Sequence, residues 1–211
     1  MYEVMPLFND IAAVILTGGK GSRMGSINKS LIEIQGETII TRTLHVVRPL
    51  FGEIIISGKE IPDLPCRDIT FTADRFPGRG PLAGIESALN VSRSQYIFVF
   101  AGDMPWLSPE VIGDQIRCML ADPCDILVPR IGDEIEPLHA IISKSVSPLL
   151  TQYLENEKGN AVRYFYSGTN MKYFDVTSSR HGENPFANIN RPEDLRSSRN
   201  DGEKRERRPE S

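Results

Sequence analysis

Ile11-Ala12-Ala13-Val14-Ile15-Leu16-Thr17-Gly18-Gly19-Lys20-Gly21-Ser22-Arg23-Met24-Gly25-Ser26-Ile27-Asn28-Lys29 is the stretch on which the reading of the fold turns. Its first six residues are apolar and rich in β-branched types, which predicts a buried strand of a parallel sheet. The chain then breaks into a loop holding Gly18, Gly19, Gly21 and Gly25, interleaved with Lys20, Arg23 and Lys29. Glycines let the backbone adopt positive φ and bring its N–H groups close to a ligand. The cations sit where several negative charges would need neutralising, and a strand feeding such a loop is how α/β proteins hold a phosphate chain. Taken alone, the stretch also reads as a connecting loop with solvated cations.

Two familiar phosphate motifs are excluded. A Walker loop ends in Gly-Lys-Ser/Thr, and Asn28-Lys29-Ser30 lacks the glycine. Gly18-Gly19-Lys20-Gly21 does not meet the dinucleotide pattern Gly-x-Gly-x-x-Gly, and Leu31-Ile32-Glu33-Ile34 follows with strand-like alternation instead of a helix.

Outward from this stretch, strands and helices alternate. Strands are predicted over 54–56, 69–72, 96–100, 125–128, 137–143 and 171–176, and helices over 38–50, 81–91, 108–120, 147–156 and 160–166, with a short one at 192–195. Thr38 and Ser108 stand as N-caps, and Pro81 opens its helix at the first turn. Such alternation implies right-handed βαβ crossovers in a mostly parallel sheet covered on both faces. One domain is expected over 1–196, without internal repeat or linker.

Composition sets bounds. With 211 residues, 40% of them hydrophobic, a sizeable core can form. No run approaches the ~20 apolar residues of a membrane span, and Met1-Tyr2-Glu3-Val4-Met5-Pro6 has no signal-like pattern. Cys66, Cys118 and Cys124 are odd in number and form no Cys-x-x-Cys pair, which fits a reducing cytoplasm and neither zinc nor disulfides. The net charge is −4; six basic and four acidic residues give residues 196–211 a charge of +2, so the body carries −6. That excludes a general nucleic-acid footprint. Residues 197–211 contain no apolar group and are expected to be a disordered charged tail.

Three further segments carry candidate chemistry. Tyr96-Ile97-Phe98-Val99-Phe100-Ala101-Gly102-Asp103-Met104-Pro105 is an apolar strand ending abruptly in a carboxylate. Ligands of open α/β sheets bind beyond the carboxyl ends of strands, so Asp103 and the glycine loop would offer opposite charges to one metal–phosphate complex. An ordinary turn aspartate before Pro105 is the plainer reading. Gly78-Arg79-Gly80-Pro81-Leu82-Ala83-Gly84 reads as a backbone surface at a helix start that can lie against a flat ligand, or as a tight turn before a helix. In Asn188-Ile189-Asn190-Arg191-Pro192-Glu193, Asn188 and Asn190 would point to one side of an extended segment, while Asn190 is also placed to cap the last helix. His139, inside an apolar strand, reads as a core or rim histidine. Asp133, Glu134 and Glu136 read as a solvated loop.

Leu16-Thr17-Gly18-Gly19-Lys20-Gly21-Ser22-Arg23-Met24-Gly25, followed by Asn28-Lys29, resembles the nucleotidyltransferase signature Leu-x-Gly-Gly-x-x-x-Arg-Met-Gly…Lys. With the other three blocks, the resemblance covers roughly 11–196 and is nearest the molybdenum cofactor guanylyltransferases. It implies a Rossmann-like three-layer α/β/α nucleotidyltransferase fold with one antiparallel strand in a mostly parallel sheet. It implies a Mg²⁺-dependent transfer of GMP from GTP to molybdopterin with release of pyrophosphate. The implied catalytic residues are Lys29, Asp103 and Arg23, with Asp103 holding the metal. Leu16, Thr17, Gly18, Gly19, Lys29, Asp74, Gly80, Pro81, Leu82 and Asp103 would bind the nucleotide, and Asn188 and Asn190 would approach the active site. Molybdoenzymes or cofactor-insertion proteins are the implied partners. One departure is Ser57-Gly58-Lys59, where guanylyl enzymes often carry an asparagine near the base; a hydroxyl makes fewer hydrogen bonds than an amide. Other readings are a molybdopterin cytidylyltransferase, a sugar-phosphate nucleotidyltransferase, whose signature lysine usually follows a proline where this chain has Asn28, or a non-catalytic nucleotide-binding regulator.

Overall fold

A computed structural model describes residues 7–18, 28–61, 64, 68–156, 161–176 and 186–187. The first strand, β1, spans Phe8–Leu16, three residues more than the apolar run, because Phe8 pairs with Phe51 of a neighbouring strand across an irregularity. A 3-10 turn at Lys29–Leu31 leads to a small hairpin, β2 (Glu33–Ile34) and β3 (Glu37–Thr38), in place of the strand expected at 31–34. Its two turn residues, Gln35 (φ 55°) and Gly36 (φ 83°), are both left-handed, the conformation that matches strand twist in a tight hairpin. Helix α1 (Ile39–Val47) starts at Thr38, whose Oγ1 accepts the Thr41 N–H at 3.3 Å.

Next come β4 (Phe51–Ser57), β5 (Ile69–Thr72), α2 (Pro81–Val91), β6 (Tyr96–Ala101) and α3 (Pro109–Ala121). The chain continues with β7 (Ile126–Ile131), β8 (Glu134–Ile135), β9 (His139–Ser143), α4 (Ser147–Asn156), α5 (Val162–Ser167) and β10 (Met171–Asp175). The expected strand at 137–143 begins two residues later, and the segment read as a solvated loop contains β8, which folds back on β7. The expected helix at 192–195 and the expected tail at 197–211 lie outside the described residues.

Among the described residues the sheet has eight strands in the order β10-β7-β9-β6-β1-β4-β5, with β8 beside β7. Along that path every neighbouring pair is parallel except those of β9, which runs against both β6 and β7. The continuous apolar strands follow from burial on both faces. Ile11, Ala13 and Ile15 face one layer with Leu44 of α1 and Ile112 and Ile116 of α3. Ala12, Val14 and Leu16 face the other with Leu82 and Ile85 of α2, Leu150 of α4 and Tyr166 of α5. The result is a three-layer α/β/α arrangement. Phe98 and Phe100 stack at 4.5 Å with Phe51 set edge-on to both, so trimming Phe98 to alanine would cost about 3–5 kcal/mol. Among the described residues, no helix is long and apolar enough to cross a membrane.

Candidate active site

The order of strands reverses between β1 and β6: from β1 the chain builds outward through β4 and β5, then returns to place β6 on the other side. A crevice opens at the carboxyl ends of strands at such a point. The two strands end in register, Leu16 beside Ala101. The Gly102 N–H donates to the Leu16 carbonyl at 2.9 Å, and a Cβ at Gly102 would lie 2.7 Å from that same oxygen. Only glycine lets the two chains leave the sheet together, with Gly102 against Leu16 and Thr17 and Asp103 next in the chain. Thr17 is tied to β4 in turn, its N–H and Oγ1 both donating to the Ser57 carbonyl, at 2.9 and 3.2 Å.

Lys29 reaches the same crevice. Asn28 fixes the short 3-10 turn by accepting from the N–H and hydroxyl of buried Ser30, at 3.2 and 2.8 Å. The Lys29 Nζ then stands 3.2 Å from Asp103 Oδ2, with the two side chains 44% and 20% exposed. An ion pair this open contributes about 0–1 kcal/mol to stability. Its interest is positional: residues 74 apart in sequence place opposite charges at one strand-end crevice.

A third wall comes from the segment after β5. Asp74 is half-buried, and the next residue is pinned: the Arg75 N–H donates to Ser87 Oγ at 3.0 Å and its guanidinium to the fully buried Glu86 at 2.7 Å. Gly80 (φ 65°) turns the chain into α2, whose first residue is Pro81 and whose N-terminus has no side-chain cap. Leu82 is wholly buried and anchors that turn. The helix lies hard against the sheet, since a Cβ at Gly84 would meet Ser57 Oγ at 2.7 Å and Leu16 Cδ2 at 3.0 Å. The Ser57 side chain is therefore buried beneath α2 and is not a wall of the crevice. Arg23, Gly19, Asn188 and Asn190 lie outside the described residues.

The chain matches the family described as "MobA-like NTP transferase domain" over residues 13–169, well over half its length. It belongs to that family. The chain is 34% identical over 202 residues to a probable molybdenum cofactor guanylyltransferase of Methanosarcina acetivorans, covering 88% of each. A second relative of the same description, from Natranaerobius thermophilus, is 32% identical over 197 residues, 90% of this chain and 96% of that protein. The solved structure of molybdopterin-guanine dinucleotide biosynthesis protein A from Archaeoglobus fulgidus superposes with a TM-score of 0.71 at 26% identity, over 92% of this chain and 99% of that one.

Within this MobA-like domain, the donors available to a metal are few. Among the described residues, no three His, Cys, Asp or Glu side chains gather to hold one. Mg²⁺ asks for no such cage; it takes one or two carboxylates, water and substrate phosphates. The partly exposed Asp103 carboxylate, with Lys29 beside it, fits that use.

Glu136, read from the sequence with Asp133 and Glu134 as solvated loop, is instead partly withdrawn from water. It follows the β7–β8 hairpin and is half-buried, with Oε1 accepting the Leu138 N–H at 2.9 Å. Burial pushes its carboxyl pKa up and the nearby Asp103 charge adds to the rise, while the Leu138 N–H and Arg163 oppose it. The signal lay in strand pairing between distant segments, which a local reading of Asp133-Glu134 as solvated charges passes over. His139 is a core residue, as expected: it is fully buried, its Nδ1 is 3.1 Å from Gln115 Oε1, and its ring meets Phe98, Phe100 and Phe186 edge-on. Burial lowers its pKa to about 3, so it stays neutral.

Proposed function

We propose that this protein transfers GMP from GTP to molybdopterin and releases pyrophosphate. The observation that carries the reading is the meeting of Lys29 and Asp103 at the strand-order reversal, 3.2 Å apart; the names of its relatives supply the nucleotide and the acceptor. The terminal phosphate of the acceptor attacks the α-phosphorus. One P–O bond forms there as the bond to the bridging oxygen breaks, and the electron pair leaves with pyrophosphate. No covalent nucleophile of the protein is needed.

Thr17 and Gly18 bring the backbone to the phosphates. Lys29 and Arg23 offset the charge that accumulates on phosphate oxygens, a stabilisation greatest in the transition state. Asp103 would hold Mg²⁺, which neutralises and orients the triphosphate when bound. Asp74 and the first turn of α2, from Gly80 to Leu82, take the nucleoside side, and Asn188 and Asn190 complete the site. The reaction belongs in the cytoplasm, where Cys118 and Cys124 remain free thiols.

Calorimetry with GTP, CTP and ATP tests nucleotide choice, and pyrophosphate release with Mg²⁺ and molybdopterin tests transfer. GTP should bind more tightly than CTP or ATP. Tighter CTP binding would make the protein a cytidylyltransferase, and tight GTP binding with no pyrophosphate released would leave a nucleotide-binding regulator.

A further inference from the structure

The β6–β9 ladder brings Glu136 to the end of β6 from which Asp103 departs. The antiparallel pairs run from Tyr96↔Ser143 to Phe100↔His139. One step further, the Ala101 N–H donates to the Leu138 carbonyl at 3.0 Å. Beyond that bond both chains turn, the Met104 N–H returning to the Ala101 carbonyl and the His139 N–H to the Glu136 carbonyl, and the Glu136 carboxylate, held on the Leu138 N–H, stands by the end of β6 that Asp103 follows. Of its two oxygens, Oε1 is committed to the Leu138 N–H. Among the described residues Oε2 makes no hydrogen bond, and Arg163, bonded to the Ile135 carbonyl, acts on the carboxylate without forming an ion pair with it. A half-buried carboxylate with one oxygen open to solvent can exchange water there for the donors of a ligand.

The two sides of Asp103 differ in kind. Thr17, Gly18, Asp74 and the first turn of α2 all lie on the side of β1, β4 and β5, which the proposed function gives to the nucleotide. Glu136 lies on the other side, where β9 enters. We infer that Glu136 determines the acceptor: its open oxygen takes N–H donors from the 2-amino-4-oxo edge of the pterin. This rests on the proposed function for the identity of the acceptor. Guanine presents the same edge, but the nucleotide residues place that base across Asp103 from Glu136.

The test uses Glu136→Gln and Glu136→Ala in the full chain, each checked for an unchanged melting temperature. The KM for molybdopterin should rise about ten- to a hundredfold, the size of a lost hydrogen bond to a charged group. The Kd for GTP with Mg²⁺ should move less than twofold. In a fluorescence titration with free pterin, needing no turnover, the wild-type protein should bind about tenfold or more tighter than Glu136→Gln. An unchanged molybdopterin KM with unchanged pterin binding overturns the inference, and so does a loss of GTP affinity, which would put Glu136 on the base. A wild-type protein that binds pterin through Glu136 yet releases no pyrophosphate would overturn the proposed reaction and leave this contact standing.

Discussion

Glu53 and Asp103 stand at opposite ends of the same sheet, and their surroundings differ as much as their positions. At the amino end, the Glu53 carboxylate is cupped by the turn between α2 and β6. It accepts from Ser92 Oγ at 2.9 Å, Ser94 Oγ at 2.8 Å, the Arg93 N–H at 3.1 Å and the Ser94 N–H at 3.2 Å. Burial alone would raise its pKa, but the donors of Ser94, Arg93 and Ser92 outweigh it and hold the carboxyl below its usual range. At the carboxyl end, Asp103 has an exposed lysine for a partner, and Glu136 has one oxygen engaged. The same functional group is thus saturated by its own chain where it ties the fold together, and left open to solvent where a ligand can bind.

The largest test of that contrast is catalytic. Lys29→Ala and Asp103→Asn should each slow turnover by roughly 10²–10³, about 3–4 kcal/mol, at saturating GTP and Mg²⁺. Both should melt within a degree or two of the wild-type protein, because their ion pair adds little stability. Near wild-type pyrophosphate release from either folded variant would show the pair to be a surface contact only.

The mirror experiment is Glu53→Gln. It should lower unfolding stability by about 2–3 kcal/mol in urea titrations, since several donors lose a charged acceptor, while kcat at a permissive temperature stays within twofold. A comparable loss of kcat would erase the distinction between the two ends.

Acid separates the contributors by window. Unfolded His139 takes up a proton near its ordinary pKa of 6.5, whereas the folded residue resists until about 3. Protonation therefore favours the unfolded chain as pH falls below 6.5, by about 2 kcal/mol at pH 5. Glu53, with its pKa lowered, contributes stability above 4.5 that is lost as pH drops through its folded value. Urea midpoints measured from pH 7 to 4 should decline more gently in His139→Leu, and Glu53→Gln should flatten only the lower part of the curve. The smallest expected effect is Ser94→Ala, about 1 kcal/mol, because Glu53 keeps its other donors.

Much of the architecture was legible because its signals are local. Six consecutive apolar residues from Ile11 to Leu16 can only be a buried segment, and Pro81 and Ser108 mark helix starts with their own side chains. Lys29 and Asp103 were legible as candidates since each follows an unmistakable strand. What escaped is too short for a periodicity to mark it, or depends on how β9 packs beside β6. The hairpin β2–β3 hides in two-residue strands, β8 is disguised by charges, and Glu136 acquires its position from pairing across the sheet. Ser57 stood out as a departure in a base-contacting position, yet whether its hydroxyl faces the crevice or the helix above depends on how closely Gly84 packs.

The reversal of β9 has a consequence for how such a site can be altered. In a sheet whose strands all point one way, every residue at the working edge belongs to chain that is departing, carried on loops whose far ends lie a helix away. A reversed strand delivers chain that is arriving, straight out of the tight hairpin of β7 and β8. Residues there are braced from both directions, and their placement is indifferent to the length of the glycine loop after β1. Lengthening or shortening that hairpin would shift one bank of the crevice and leave the other where it is.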